Sequence, residues 1–280
     1  MTTTAKAKLG IIAGSGRLPL RLIDACIKEN RPYFVIALEG QAKPEDYRGH
    51  PFEIVRIGAA GKSIKLFKQH DVSDIIMAGP VKRPSIAALR PDGTALKFIM
   101  KTGAMKQGDD GLLSALIKFL EKDHGFRVVG VEDILQDTMH GEGALGIHRP
   151  DKQAWDDIKK GVQKLKVLAS ADVGQGLVIQ DGLVLAVEAI EGTDAMIRRC
   201  KDLKRPGTNP ILVKLRKIGQ ETRADLPTMG VDTIINAYES GIFGIAFDGG
   251  GMIIMDKEDV IDKANELGVF LQAIDQEADG

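Results

Sequence analysis

Leu9-Gly10-Ile11-Ile12-Ala13-Gly14-Ser15-Gly16-Arg17-Leu18-Pro19 is the stretch that decides how the first half of this chain is read. A short apolar run feeds a Gly-x-Gly turn and then an amphipathic segment, with Pro19 suited to a first helical turn. Strand, glycine turn and helix in that order present backbone N–H groups, and the partial positive charge of a helix N-terminus, to an anion. Phosphate is the commonest biological ligand of such a turn. Ala13, Gly14, Ser15, Gly16 and Arg17 are therefore candidate binders of a nucleotide or sugar phosphate. Pro19 stands where the dinucleotide pattern has its third glycine, yet Glu39 follows about twenty residues on, as a ribose-binding acid would. These residues alone leave open a nicotinamide cofactor, and also a glycine turn that only starts a helix.

Outward from that turn, strands and helices alternate. Segments 11–13, 34–38, 54–57, 75–77 and 127–131 read as short buried strands. Leu112, Leu113, Leu116, Ile117 and Leu120 repeat at helical spacing between the last two. The alternation predicts an α/β fold whose N-terminal domain, residues 1–135, is a Rossmann-like parallel sheet covered by helices. A glycine-rich loop, 133–150, marks the boundary. Residues 136–280 then read as a mixed α+β domain, opened by a helix with Trp155, Ile158, Val162, Leu165 and Leu168 on one face. Two apolar runs joined by Asp181-Gly182 predict a type I′ hairpin. A second hairpin is expected over 243–255, around Asp248-Gly249-Gly250-Gly251.

Composition narrows the classes. With 38 basic and 39 acidic residues the net charge is −1, so no global field recruits nucleic acid or an anionic membrane. No run approaches the roughly eighteen apolar residues of a membrane span, and the first residues lack a signal-peptide core. Two cysteines, Cys26 and Cys200, make no disulfide framework, and the five histidines show no zinc spacing. The expectation is a cytoplasmic protein with reduced thiols and no integral membrane segment.

Further chemistry clusters at expected strand ends. Gly79-Pro80-Val81-Lys82-Arg83 closes a buried strand and offers two cations fit to flank a diphosphate. Thr102, Gly103, Gln107 and Asp110 lie in a second turn, where Asp110 is either a helix cap or a reader of a sugar or base edge. In the second half, Glu188 sits inside an apolar run, an expensive place for an unpaired carboxylate, so a metal or a salt bridge must satisfy it. Gly192-Thr193-Asp194 repeats the glycine-then-cap pattern at a helix start. Lys214 alternates with Val213 and Leu215, facing away from both. The charged loop 220–228 carries Asp225, a carboxylate of the kind Mg²⁺ shares with substrate oxygens.

Taken together, Ile-Ile-Ala-Gly-Ser-Gly-Arg-Leu-Pro (11–19), Ala-Gly-Pro-Val-Lys-Arg-Pro (78–84), Gly-Asp-Asp (108–110), Val-Glu-Ala-Ile-Glu-Gly-Thr-Asp (187–194), Lys214 and Arg-Ala-Asp-Leu-Pro-Thr-Met-Gly (223–230) are similar to one family. End to end, the chain resembles the two-domain UDP-diacylglucosamine pyrophosphatases of lipid A biosynthesis, which are unrelated to the calcineurin-like enzymes of the same step. The resemblance implies Mg²⁺-dependent hydrolysis of UDP-diacylglucosamine to UMP and diacylglucosamine 1-phosphate, lipid X, at a site between the domains of a homodimer. It makes Asp225 the principal catalytic carboxylate, binding Mg²⁺ or orienting water. The residues themselves offer Lys214 and Arg17 to stabilise charge developing on the transferred phosphoryl group, and Glu188 and Asp194 as further candidate metal ligands. Any membrane contact is then peripheral, at the inner membrane and through the acylated substrate. Phe98, Ile99, Met100 and Met105 are candidate acyl-chain contacts, although a helical apolar stripe is commonly core. Two rivals remain: a nicotinamide oxidoreductase using Gly14, Gly16 and Glu39, and a non-catalytic UDP-sugar sensor.

Overall fold

The computed structural model describes residues 6–82, 85–103, 109–171, 173–217, 221–224 and 226–275. The chain forms two compact units, Met1–Gln136 with Glu221–Asp225, and Asp137–Gln220 with Leu226–Gly280. The return of Glu221–Asp225 to the first unit has no signature in the sequence.

The first unit runs β1 (Leu9–Ala13), α1 (Leu18–Lys28), β2 (Tyr33–Leu38), β3 (Phe52–Val55), α2 (Ala60–Gln69), β4 (Asp74–Ala78), α3 (Ile86–Leu89), α4 (Gly93–Thr102), α5 (Asp109–Lys118) and β5 (Arg127–Val128). Its sheet has the order β3-β2-β1-β4-β5, with every neighbouring pair parallel. β1 lies at the centre, which is why its sequence is an unbroken apolar run: Leu9, Ile11 and Ala13 are fully buried. Phe34, Ile36, Phe67, Ile75, Ile117 and Phe126 build the core on one face. In α1, Leu22, Ile23 and Cys26 form the buried stripe, and burial pushes the Cys26 thiol up to about 11.

The second unit runs β6 (Gly143–Leu145), α6 (Lys152–Ser170), β7 (Gly176–Gln180), β8 (Leu183–Val187), α7 (Thr193–Arg199), β9 (Ile211–Lys214), β10 (Thr228–Met229), α8 (Val231–Glu239), β11 (Gly244–Asp248), β12 (Ile253–Ile254), α9 (Lys257–Leu267) and β13 (Phe270–Ile274). Its main sheet is mixed, in the order β6-β13-β11-β9-β7-β8. The three central strands are parallel, and antiparallel strands flank them. Ile158, Val162 and Leu165 of α6 cover one face against Leu177, Ile179, Ile211 and Val213. Met196, Ile197, Ile234 and Val260 of the other helices cover the opposite face.

The Asp181-Gly182 hairpin is present, with φ of 51° and 78° at those two residues. Asp157 of α6, fully buried, accepts the turn's Asp181 and Gly182 N–H groups at 2.8 and 2.7 Å. Asp157→Ala is expected to destabilise the second unit by about 2–3 kcal/mol, because two charge-assisted hydrogen bonds vanish together. Urea denaturation followed by the fluorescence of Trp155, which lies on the same helix, reads that loss.

The second expected hairpin is absent. β11 pairs in parallel with β9 and β13, whereas β12 pairs in parallel with β10 in a separate two-stranded sheet. The reason is that β11 is flanked on both sides and has no free edge for a returning partner. The glycines instead lead the chain off the sheet, with Gly249 N–H donating to Ile274 O and Gly250 N–H to His140 O.

Candidate functional site

In open parallel sheets, ligands bind beyond the carboxyl ends of the strands. At that edge of the first unit, the ends of β1 and β4 are laced together. Gly14 N–H donates to Ala78 O at 2.8 Å, and the Ser15 N–H and hydroxyl both donate to Pro80 O at 2.9 Å. The glycines make this approach possible. A Cβ on Gly14 would lie 2.6 Å from both Gly79 O and Pro80 O, and one on Gly79, whose φ is +87°, would lie 2.1 Å from Ser15 O. The turn therefore differs from the bare anion cradle read from sequence, since two of its N–H groups are already committed. Gly16 N–H has no partner among the described residues, and Ala13 contributes backbone only, paired with Ala37 and Ala78. Arg17 sits at the N-cap of α1, just before Leu18 and Pro19.

Gln41, which the sequence reading passed over, clamps the neighbouring loop: its Oε1 accepts from Lys82 N–H at 2.9 Å and its Nε2 donates to Lys82 O at 3.3 Å. Lys82 stays exposed at this edge. Thr102 and Gly103 close α4, the first donating its hydroxyl to Phe98 O at 2.7 Å and the second serving as a left-handed cap. Of the stripe proposed for acyl chains, Phe98 is core and Met100 is 76% exposed. Arg83, Met105, Gln107 and Asp225, together with the side chain of Asp110, lie outside the described residues.

The second unit holds the better-built cluster. Across β8, β7 and β9, Glu188, Gly176 and Lys214 fall in one row at the strand ends. Glu188 follows Val187 and donates its N–H to Gly176 O, and Gly176 pairs with Lys214. Residues in one row share a face, here the face covered by α7 to α9. The glycine between the two charged residues leaves the gap into which they reach; a Cβ there would lie 2.7 Å from Glu188 Oε2. Thr193, the first residue of α7, bridges them. Its hydroxyl donates to Glu188 Oε1 at 2.7 Å and accepts from Lys214 Nζ. Lys214 and Glu188 are only 5% and 7% exposed. Gly192, φ +81°, turns the chain into α7.

Asp194 does not join that bridge; its Oδ1 accepts from the Thr233 hydroxyl at 3.4 Å. Two residues beyond Lys214, Arg216 Nε pairs at 2.9 Å with Asp248, which is 2% exposed at the end of β11. Sequence reasoning missed this pair, although an aspartate closing a buried run was a usable signal.

No group of three or more His, Cys, Asp or Glu fit to hold a metal occurs among the described residues. The oxygen donors present suit Mg²⁺ only in its usual mode, one or two carboxylates plus substrate oxygens and water. Glu188 fits that mode poorly. Its Oε1 is taken by Thr193, and its Oε2 is buried, without a hydrogen-bond partner, against the Gly176 backbone. Asp194 is half-exposed and fits better. An open groove of about 500 Å³ beside Lys65, Lys68, Thr94 and His124 lies along α2, and its cations are surface lysines.

Models of the LpxI N-terminal domain and the LpxI C-terminal domain match residues 8–138 and 141–272. UDP-2,3-diacylglucosamine pyrophosphatase LpxI of Caulobacter vibrioides is 38% identical over 278 residues, covering 96% of this chain and 98% of that protein. Among solved structures, the D-lactate dehydrogenases of Salmonella and Escherichia coli align with TM-scores of 0.18 and 0.17 at 12% and 11% identity. Those alignments cover 93% of this chain in both cases and 94% and 93% of the other chains, and a likeness so weak carries no argument.

Proposed function

The chain belongs to the LpxI family, and from that membership we propose that it hydrolyses UDP-2,3-diacylglucosamine to UMP and diacylglucosamine 1-phosphate, lipid X, with Mg²⁺. It is a hydrolase of a phosphoric anhydride. The observation that carries the finer reading is Lys214, an ammonium buried on an apolar sheet face and held at the end of a central parallel strand. A cation in that setting acts on phosphoryl charge with little screening, and phosphoryl transfer depends chiefly on such positioning and electrostatics.

Lys214 stabilises charge that develops on the phosphoryl oxygens. The Gly14-Ser15-Gly16 turn, with Arg17 and the loop Gly79-Pro80-Val81-Lys82-Arg83, holds the nucleotide side of the diphosphate. Thr102, Gly103, Gln107 and Asp110, with Gly192 and Thr193, complete the substrate contacts. Asp225 would bind Mg²⁺ or orient the attacking water, with Asp194 as a further candidate ligand, and the metal would supply polarisation of the diphosphate and a lowered pKa for a bound water. Among the described residues no helix is long and apolar enough to cross a membrane. The same reading includes a homodimer, a cytoplasmic site of action and peripheral contact with the inner membrane through the acylated substrate.

The test is UMP release from UDP-diacylglucosamine by the whole protein with Mg²⁺ and with excess EDTA. Turnover that requires the metal is expected. Binding of substrate without turnover leaves the sensor reading in its place, and tight NADH binding by fluorescence would favour the oxidoreductase.

A further inference from the structure

We infer that Glu188 and Thr193 position the Lys214 ammonium, Glu188 in place of any role as a metal ligand and Thr193 in addition to its substrate contact. The inference rests on the reading of Lys214 as the cation that faces the phosphoryl group. Three observations carry it. Hydrogen bonds run in one direction, from Lys214 Nζ to the Thr193 oxygen and from the Thr193 hydroxyl to Glu188 Oε1. The threonine hydroxyl must therefore point its proton at the carboxylate, which turns its lone pairs toward the lysine. One carboxylate oxygen is taken by the Thr193 hydroxyl and the other is buried beside Gly176 without a hydrogen-bond partner, so neither offers a site to a Mg²⁺ that keeps several waters.

The surrounding chain is shaped for that carboxylate. Gly176 occupies the row between the two charges, where a methyl group would press on Glu188 Oε2. Gly174, at φ +50°, passes so close that a Cβ would lie 1.9 Å from Glu188 O. Thr193 is fixed in turn by its place as the first residue of α7. A flexible four-carbon side chain is thereby held in one place by a rigid acceptor, so the ammonium needs little reorganisation when charge develops nearby.

The test uses three isosteric or near-isosteric variants in the whole protein at saturating Mg²⁺. Thr193→Val and Glu188→Gln are each expected to lower kcat for UMP release about 10- to 100-fold, with KM changed far less. Thr193→Ser, which keeps the hydroxyl, is expected to recover most of the rate. The Mg²⁺ concentration for half-maximal rate should stay that of the wild type in Glu188→Gln. A rise in that concentration, with kcat restored by excess Mg²⁺, would make Glu188 a metal ligand and overturn the inference. Failure of Thr193→Ser to outperform Thr193→Val would overturn it as well.

A readout independent of activity is the ¹⁵N-selective NMR signal of the lysine ammonium groups, with Lys214→Met supplying the assignment. A fixed Lys214 gives a slowly exchanging signal that broadens away in Thr193→Val. Its absence from the wild type contradicts the inference even if hydrolysis is confirmed, and its presence supports the relay even if the substrate proves to be another diphosphate.

Discussion

Asp225→Ala is expected to lower kcat for UDP-diacylglucosamine hydrolysis by about 10²- to 10⁴-fold, the range in which a positioned acid–base group contributes. The argument starts from the loop it belongs to. Of the two carboxylates in 221–225, Glu221 is committed: the Arg223 guanidinium binds both its oxygens, at 2.8 and 2.9 Å, and holds its carboxyl below the usual carboxylate range. Arg223 also donates to Glu121 Oε1 at 2.7 Å, and Ala224 packs on the first unit's core. Arg223 is correspondingly pushed above its ordinary value, chiefly by its hydrogen bonds to Glu221. Asp225 follows this anchored segment directly in the chain, and the family resemblance makes it the candidate catalytic carboxylate. Removing it leaves the anchor intact, so the melting temperature should stay within about 2 °C of wild type. Glu221→Gln is the control, since it loosens the anchor without touching the reacting group, and its loss of rate should be much smaller. Full hydrolysis by Asp225→Ala would move the catalytic carboxylate to Asp194.

How much of this was legible in the sequence depends on how local each feature is. The run Leu9–Ala13 announced a central strand because burial on both faces removes polar alternation, and Asp181-Gly182 announced a hairpin because few pairs accept two positive φ values. The glycines after β11 misled for the same local reason: a Gly-rich turn between apolar runs resembles a hairpin until both neighbours of the strand are known. The N–H groups of Gly14 and Ser15 looked free because their acceptors, Ala78 O and Pro80 O, lie on another strand far along the chain. Glu188 shows both sides. Its place in an apolar run demanded a partner, but only the register of β7 against β8 and β9 reveals that the partner is Thr193 and, through it, Lys214.

With the proposed role in hydrolysis, that register implies two separable roles for Lys214, and Lys214→Met tests both. Methionine keeps the length and most of the volume while deleting the charge, so core packing changes little. Hydrolysis should fall by about 10²- to 10³-fold in kcat, the usual loss when one preorganised group that stabilises developing charge is removed. Stability should fall as well, by about 3–5 kcal/mol, because Glu188 is left as a buried carboxylate with no cation in its bridge. The second loss is not a property of the chemistry, and a second substitution can remove it. Adding Glu188→Gln neutralises the stranded carboxylate, so the double variant should regain most of the denaturation midpoint and be destabilised by less than the sum of the two single changes. The rate should not return, because the cation proposed to face the phosphoryl oxygens is still missing. Recovery of both stability and rate in the double variant would mean that the lysine serves only to neutralise Glu188, and the phosphate-facing cation would then have to be sought at Arg216, two residues further along and braced by the buried Asp248.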